Sequence, residues 1–444
     1  MPNPVTAVLI GAGNRGAESY APYALQHPDE LNFVAVAEPD PVRRARFAKA
    51  HEIPKAHQFT TWEDLFDAGK LADAAVIATQ DQMHTGPALV ALDHGYDVLL
   101  EKPMAPTLSE NVLLAQTAEK TDQLLQICHV LRYAPFFETV HEIVTSGRLG
   151  DVITVEHREN VSYWHMAHSY VRGNWRNRSL ASPMILAKCC HDLDILYWNL
   201  GPVAHLSSVG SLIHYRAENT PEGAPPRCTD GCPVADDCPW YAPRIYVDMT
   251  PLEKNMYATD VQIPPNYGGW PRSVVTDDPT NPEAVLDALK TGPYGRCVYQ
   301  CDNDVVDNQI VTMETERGAS VALYMHGHSH REGRTLRYDG TRATLRGAYF
   351  FDEQRIEIHD HLTGEVEVIE PDLGPLGGTG HGGGDYGLMK AFVRAVRDPE
   401  TAMTTAREAL ESHLMAFAAD EARIDGTIIE MAAFRERAEN LGDA

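Results

Sequence analysis

No apolar run in the 444 residues approaches the ~20 residues that a membrane-spanning helix requires. Positive charge is scarce: 37 Lys and Arg against 63 Asp and Glu give a formal net charge of −26. A surface of that sign repels nucleic acid and anionic membrane, so neither is expected as a partner. Cysteine is sparse, with eight residues, and the N-terminus enters a strand-like run with no secretory leader. The expectation is a cytoplasmic protein whose thiols stay reduced, in which clustered cysteines point to a metal before a disulfide. The length allows two domains, each with its own core.

What is present begins with Val5 to Ile10, an apolar run that reads as a strand buried on both faces. It leads into Gly11, Gly13 and Gly16, after which the residues can form a helix. Glycines are needed in such a turn for its tightness, for close approach of a pyrophosphate, and for helix–strand packing. The phosphates would rest on free N–H groups at a helix N-terminus. A second strand, Phe33 to Ala37, delivers Glu38, whose carboxylate suits the ribose hydroxyls and favours NAD over NADP. Arg15, Arg43 and Arg44 offer the opposite possibility, a grip on a 2′-phosphate.

Residues 1–130 alternate strand and helix, which predicts a doubly wound parallel sheet with its ligand at the carboxyl ends of the strands. Those ends carry Gly11–Gly16, Glu38, Thr79-Gln80 and Glu101-Lys102-Pro103. Residues 131–444 read as an α+β domain with a large, mostly antiparallel open sheet. Its strands are Val152 to His157, His205 to Leu212, Asn308 to Glu314, Val321 to Met325, Arg334 to Tyr338, Ala343 to Arg346 and Arg355 to His359. A helix over Pro183 to Asn199 interrupts them, residues 214–300 form a cysteine-bearing insertion, and helices close the chain over 385–422.

Five groups of residues could carry chemistry. Lys102, beside Glu101 at the cofactor edge, can move a proton while a hydride leaves the same carbon. On one helix, Lys188, His191 and Asp192 fall close together, and His191 suits acid–base work. The run from Glu156 to Arg178 is cationic and aromatic: Tyr163, His165, His168, Arg172, Trp175 and Arg176 suggest sugar stacking and an anionic group, with Glu156 and Glu159 the only acids nearby in sequence. His381 and Asp385 flank a glycine run that lets backbone approach a ligand. In the insertion, Cys228, Cys232 and Cys238, with Cys301 as fourth ligand and Cys297 close behind, suit structural zinc.

These residues resemble the Gfo/Idh/MocA oxidoreductases. Gly11-Ala-Gly-Asn-Arg-Gly16, the segment Ala78 to His84, Glu101-Lys102-Pro103, Arg132-Tyr133-Ala134-Pro135 and His191-x-x-Asp194 occur in the family's order. The resemblance implies a Rossmann domain, a sheet domain for substrate and oligomer contacts, NAD as cofactor, and Lys102 and His191 as catalytic residues. By extension it places Tyr133 and Asp192 with the catalytic set, and Asn14, Arg15, Thr79, Gln80, His84, Glu101, His129, Trp175 and Arg176 with the cofactor. Many sugar dehydrogenases of the family carry an Asp four residues before the catalytic His. Here that position is Ala187, so Lys188, Asp192 or Asp194 would have to substitute.

Some relatives are glycosidases that retain a tightly bound NAD, oxidising sugar C3, eliminating the C1 substituent and returning the hydride. The cationic run makes an anionic, sulfoquinovoside-like glycoside the leading expectation. A net sugar or polyol dehydrogenase comes second, and a non-catalytic NAD sensor third. A homo-oligomer is also expected, since a large open sheet needs a cover.

Overall fold

The structure is a computed structural model that describes residues 3–248, 270–351, 353–373 and 381–442. Six parallel strands form the first sheet: β1 (Val5–Ile10), β2 (Leu31–Ala37), β3 (Gln58–Phe59), β4 (Ala74–Ile77), β5 (Asp97–Leu100) and β6 (Leu125–Ile127). Their order is β3-β2-β1-β4-β5-β6, so the strand order reverses between β1 and β4 and opens a crevice there. All four residues of β4 are buried, as a strand covered on both faces requires. The helix Pro41–Ala50 starts at Pro41 because Asp40 caps it, accepting from Val42 and Arg43 N–H at 2.9 and 2.8 Å. Such a cap contributes about 1 kcal/mol.

Nine strands form the second sheet: β7 (Val152–Ser162), β8 (Val203–Ser211), β9 (Asn308–Thr315), β10 (Ser320–Ser329), β11 (Gly333–Gly340), β12 (Ala343–Phe350), β13 (Gln354–Asp360), β14 (Val366–Ile369) and β15 (Ile428–Glu430). The order is β14-β13-β12-β11-β7-β10-β9-β8-β15, antiparallel except for the β7–β10 pair. The fold is thus α/β, a parallel doubly wound sheet joined to a mostly antiparallel one. The helices Met184–Leu200 and Ala406–Asp425 pack on each other and cover one face. The last helix, Met431–Gly442, returns to the helix Leu108–Thr121 beside the first sheet.

Three boundaries differ from expectation, each for a local reason. The run Gln126 to Leu131, which the sequence predicts as a strand, is extended only to Ile127, because His129 leaves extended geometry (φ −77°, ψ 65°) and Val130–Tyr133 turns tightly. β7 runs on to Ser162 with Val155, His157, Glu159 and Val161 all buried on one side, so polar residues hide its period of two. The segment after it is a helical turn, Tyr163–Arg172, rather than an open loop. β14, β15 and the last helix were not expected; the two strands are edges of three or four residues with little apolar signal.

Candidate active site

β1 ends at Gly11, whose φ of +91° and whose position 2.7 Å (from an added Cβ) from the Ala78 carbonyl both require glycine. A Cβ on Gly16 would stand 2.2 Å from the Gly11 carbonyl, whereas one on Gly13 meets nothing within 4 Å. The turn is therefore closed on its protein side and open on the other. After it, Asn14–Tyr20 forms a single wide turn of helix. Glu38, buried at the end of β2, accepts from Ala12 N–H at 2.8 Å and Asp40 N–H at 2.9 Å. An open, glycine-lined N–H turn facing a buried carboxylate fits the pyrophosphate and ribose of a dinucleotide.

The arginines that could have held a 2′-phosphate are committed elsewhere. Arg15 points away from Glu38 and joins Glu101 at 2.6 Å and Asp385 at 2.7 Å. Arg43 pairs with Glu38 at 3.0 Å, and Arg44 donates to the Glu38 and Pro39 carbonyls. Asn14 bonds Glu18 at 2.7 Å, and beyond β4 Thr79 is half-buried and Gln80 exposed. His84 has no nitrogen left for a ligand: one contacts the Pro103 carbonyl at 2.8 Å, the other that of Thr79 at 3.2 Å. It ties the β4 and β5 ends together. Trp175 reaches this edge, its indole N–H donating to Asp81 at 3.0 Å, and burial pushes the Asp81 carboxyl up.

Lys102 lies at the centre of the edge, and its Nζ donates to the Ala187 carbonyl at 3.0 Å. Ala187 lies one turn before His191 on the helix Met184–Leu200, so the Lys102 amine and the His191 ring share one stretch of that helix. The His191 ring is 5.7 Å from that of His129 and 5.9 Å from that of His381. Burial, then the charge of Lys102, pushes His191 well below the ordinary imidazole range. Its Nδ1 has no hydrogen-bond partner. A neutral imidazole there can accept a proton from a hydroxyl that Lys102 also contacts. His381 contacts Asp385 at 3.2 Å; burial raises the Asp385 carboxyl, but Arg15 and His381 outweigh it and hold it far below the usual range.

Other expected site residues serve as support. The Tyr133 hydroxyl is placed away from the reacting end, among Gln126, Met403 and Thr404, and burial pushes it up. Asp192 faces the opposite side of the helix from a substrate, held by His157 at 2.8 Å and Arg334 at 2.7 Å. Asp194 takes Arg132 through two bonds of 2.7 Å. Lys188 pairs with Glu332 at 3.0 Å and Glu159 at 3.3 Å, and His165 with Glu332 at 2.9 Å. None of these three charged helix residues bonds the His191 ring, so the missing aspartate has no direct stand-in among the described residues.

Three of the arginines in the cationic run are ion-paired, two of them with acids far along the chain. Arg158 pairs with Glu156, Arg176 with Asp302 at 2.8 Å, and Arg178 with Asp420 at 2.6 Å. Arg176 therefore does not reach the cofactor edge. Tyr163 and His168 pack into the insertion, His168 bonding Tyr246 at 2.9 Å and stacking on Tyr294 at 4.7 Å. Arg172 is fully buried there too, donating to the Arg296 and Trp240 carbonyls at 2.8 and 2.7 Å. The zinc quartet does not assemble: Cys301 donates to the Cys297 carbonyl at 3.3 Å, and among the described residues no three His, Cys, Asp or Glu side chains converge on one ion. Sequence reading missed Glu332 and Arg334, and assigned no role to Glu159, which burial pushes up to about 7. The alternation of buried positions along β7 was the available signal for Glu159.

Two family models match the chain, one described as the oxidoreductase family's NAD-binding Rossmann fold over residues 5–129, the other as the GFO/IDH/MocA C-terminal domain over residues 137–226. The Bacillus subtilis protein YteT is 23% identical over 403 residues, 86% of this chain and 87% of that one. The inositol 2-dehydrogenase of Corynebacterium glutamicum is 28% identical over 206 residues, 44% of this chain and 53% of that one, so this match spans about half the relative's length. In structure, the chain resembles an oxidoreductase from Agrobacterium radiobacter in complex with NAD+, L-tartaric acid and magnesium (TM-score 0.66, 16% identity, 97% of this chain and 99% of that one). Both halves of the motif set, the glycine turn and the Lys102–His191 pair, lie within the two matched regions: the chain belongs to the Gfo/Idh/MocA oxidoreductase family.

Proposed function

We propose that the protein is an NAD-dependent dehydrogenase that oxidises a secondary hydroxyl of a small sugar or polyol to a ketone. One observation carries this reading: Lys102 Nζ donates to the Ala187 carbonyl one helical turn before a neutral His191, and Lys102 follows a strand of the same parallel sheet whose strand ends carry Glu38 and the open glycine turn. Bound NAD supplies the hydride acceptor. The chain's own residues then do three things. Lys102 Nζ donates to the substrate oxygen and orients the carbinol, with the Ala187 carbonyl fixing the amine where relatives of the sugar-dehydrogenase type have a carboxylate. His191 accepts the hydroxyl proton, which it can do because burial keeps it unprotonated. His381, Asp385 and His129 line the same space and offer polar contacts to neighbouring hydroxyls.

A retained-NAD glycosidase acting on an anionic sugar loses its main support, because the arginines that suggested a sulfonate or phosphate site are spent on Glu156, Asp302, Asp420 and backbone carbonyls. The name of the Corynebacterium relative, an inositol 2-dehydrogenase, favours a neutral polyol. The test is a panel of inositols, pentoses, hexoses and their glycosides, glucuronides and sulfoquinovosides, each with NAD and with NADH absorbance followed alongside product analysis. NADH formed one for one with ketone is expected from a neutral member of the panel. Aglycone release with no net NADH would overturn the reading, as would a strong preference for the anionic sugars.

A further inference from the structure

In a dehydrogenase reaction at this site each oxidation leaves one proton on His191, and that proton has to reach water before the next turnover. His191 is a poor place to keep it. The residue is 3% exposed, its Nδ1 is sealed without a partner, and the groups that weigh most on it are Lys102, His129, His381 and Arg334, each of them cationic when charged. Two imidazole rings stand next to it. His129 leads inward: it is fully buried, its Nε2 meets the Ser412 hydroxyl at 3.3 Å, and Ser412 meets His413, also fully buried, at 3.3 Å. His381 leads outward, with 36% of its side chain exposed.

His381 is also placed to carry a positive charge. Its Nδ1 faces both oxygens of Asp385, one helical turn on, at 3.2 and 3.3 Å. Arg15 holds that carboxylate through two bonds of 2.7 and 3.2 Å, and its Nε reaches Glu101 at 2.6 Å. One guanidinium is thus shared by two carboxylates, which leaves the group a net negative charge to face the ring. The other charged or titratable groups around His381 are Lys102 and His191. A carboxylate at Nδ1 keeps a proton on that nitrogen and makes Nε2 the accepting one. Nε2 makes no hydrogen bond among the described residues. The backbone adds a sign of its own: His381 has a left-handed φ of +50°, ahead of Gly382 and Gly383 at +62° and +93°. Strain of that kind in a residue with a side chain collects at functional sites.

The His191 and His381 ring centroids are 5.9 Å apart, beyond a direct hydrogen bond and within the span of one bridging hydroxyl or water. We propose that His381, backed by Asp385, is the outlet that carries the proton of each oxidation from His191 to solvent, an inference that rests on the dehydrogenase reading. The carbinol O–H bond breaks and an N–H bond forms on His191 as the hydride leaves for NAD+. That N–H bond then breaks, and Nε2 of His381 gains the proton through the bridging hydroxyl or water. His381 releases it to solvent, and both rings return to the neutral form.

The test uses the full chain with NAD and the neutral substrate that the panel identifies, in weak buffer. His381→Asn is the variant, because asparagine accepts left-handed backbone and keeps a hydrogen-bonding group but carries no proton at neutral pH. In a stopped-flow record of NADH, its first turnover should match wild type, and its steady rate should then fall by about tenfold or more with KM little changed. Added imidazole should restore the steady rate of the variant and leave wild type as it was. His381→Gln repeats the test if His381→Asn melts below wild type. A variant that holds the wild-type steady rate in weak buffer would overturn the proposal. So would a loss that imidazole does not restore, or one that appears in KM, either of which makes His381 a substrate contact and no outlet. Wild type that forms no NADH with any member of the panel would instead refute the dehydrogenase reading, and the outlet with it.

Discussion

Gly13 and Gly16 lie three residues apart in one turn, yet alanine should harm them in different ways. Gly13 has an ordinary φ of −80°, and a methyl there meets nothing within 4 Å of protein. The unliganded fold should therefore tolerate Gly13→Ala and even gain a little, about 0.4–1 kcal/mol, since alanine lowers the entropy of the unfolded chain. If the open side of the turn is where a pyrophosphate rests on backbone N–H groups, the methyl occupies that space. Losing one charge-assisted hydrogen bond costs about 1.5–3 kcal/mol, or ten- to more than hundredfold in Kd for NAD. Gly16→Ala is the contrast: its methyl lands 2.2 Å from the Gly11 carbonyl, backbone against backbone. Relief requires a shift of the turn costing about 1–3 kcal/mol, visible as a lower Tm without any ligand. The assay pairs thermal unfolding of the apo proteins with calorimetric titration of NAD. Wild-type NAD affinity in Gly13→Ala would refute the placement of the phosphates, and an equal drop in apo Tm for both variants would refute the distinction.

Glu38→Ser should weaken NAD and strengthen NADP, because it removes the ribose-facing carboxylate and frees Arg43 beside it; kcat/KM for the two cofactors reads this out, and an unchanged ratio would show that Glu38 does not meet the ribose. Stability should fall in mild acid. Burial depresses His129, His168, His191 and His413, the last to about 3, so below the ordinary imidazole value of about 6.5 the unfolded chain takes up protons that the folded chain refuses. Each such group removes roughly 1 kcal/mol per pH unit, whereas Glu159, raised to about 7, offsets one of them over the same range; unfolding followed from pH 7.5 to 5 should therefore show a net drop in Tm before the ordinary carboxylates titrate, and a flat Tm over that range would contradict neutral burial of these rings.

Where the sequence signal was local and apolar, it placed elements well. The strand Val5–Ile10 falls on the expected residues and the helix Met184–Leu200 within one residue of them, because a short apolar run closed by glycine, and a proline start with a glycine stop, leave few alternatives. The glycine turn and Glu38 were legible for the same reason. Long-range charge pairing was not. The acids that neutralise Arg176 and Arg178 are Asp302 and Asp420, more than a hundred residues away in sequence, so the run around Tyr163 read as a cationic site when it is a paired interior. Asp192 and His191 are adjacent in the chain, but a helix turns neighbours about 100° apart. One faces Lys102 and the other His157 and Arg334, a division that adjacency in sequence hid. Cysteine spacing suggested a metal but could not show which thiols share a space or that Arg172 shares it with them.

In the proposed reaction, hydride leaves a carbinol carbon held between Lys102 and His191 and stays on the cofactor. The most direct measurement uses the best neutral substrate of the panel with deuterium on its carbinol carbons. Mass spectrometry then gives the isotope content of the reduced cofactor formed by wild type and by Lys102→Met. One deuterium per NADH is expected, in step with one ketone, with a loss of several orders of magnitude in rate for the variant and NAD binding retained. Turnover of substrate with no deuterated NADH accumulating, or a Lys102→Met protein as active as wild type, would contradict it.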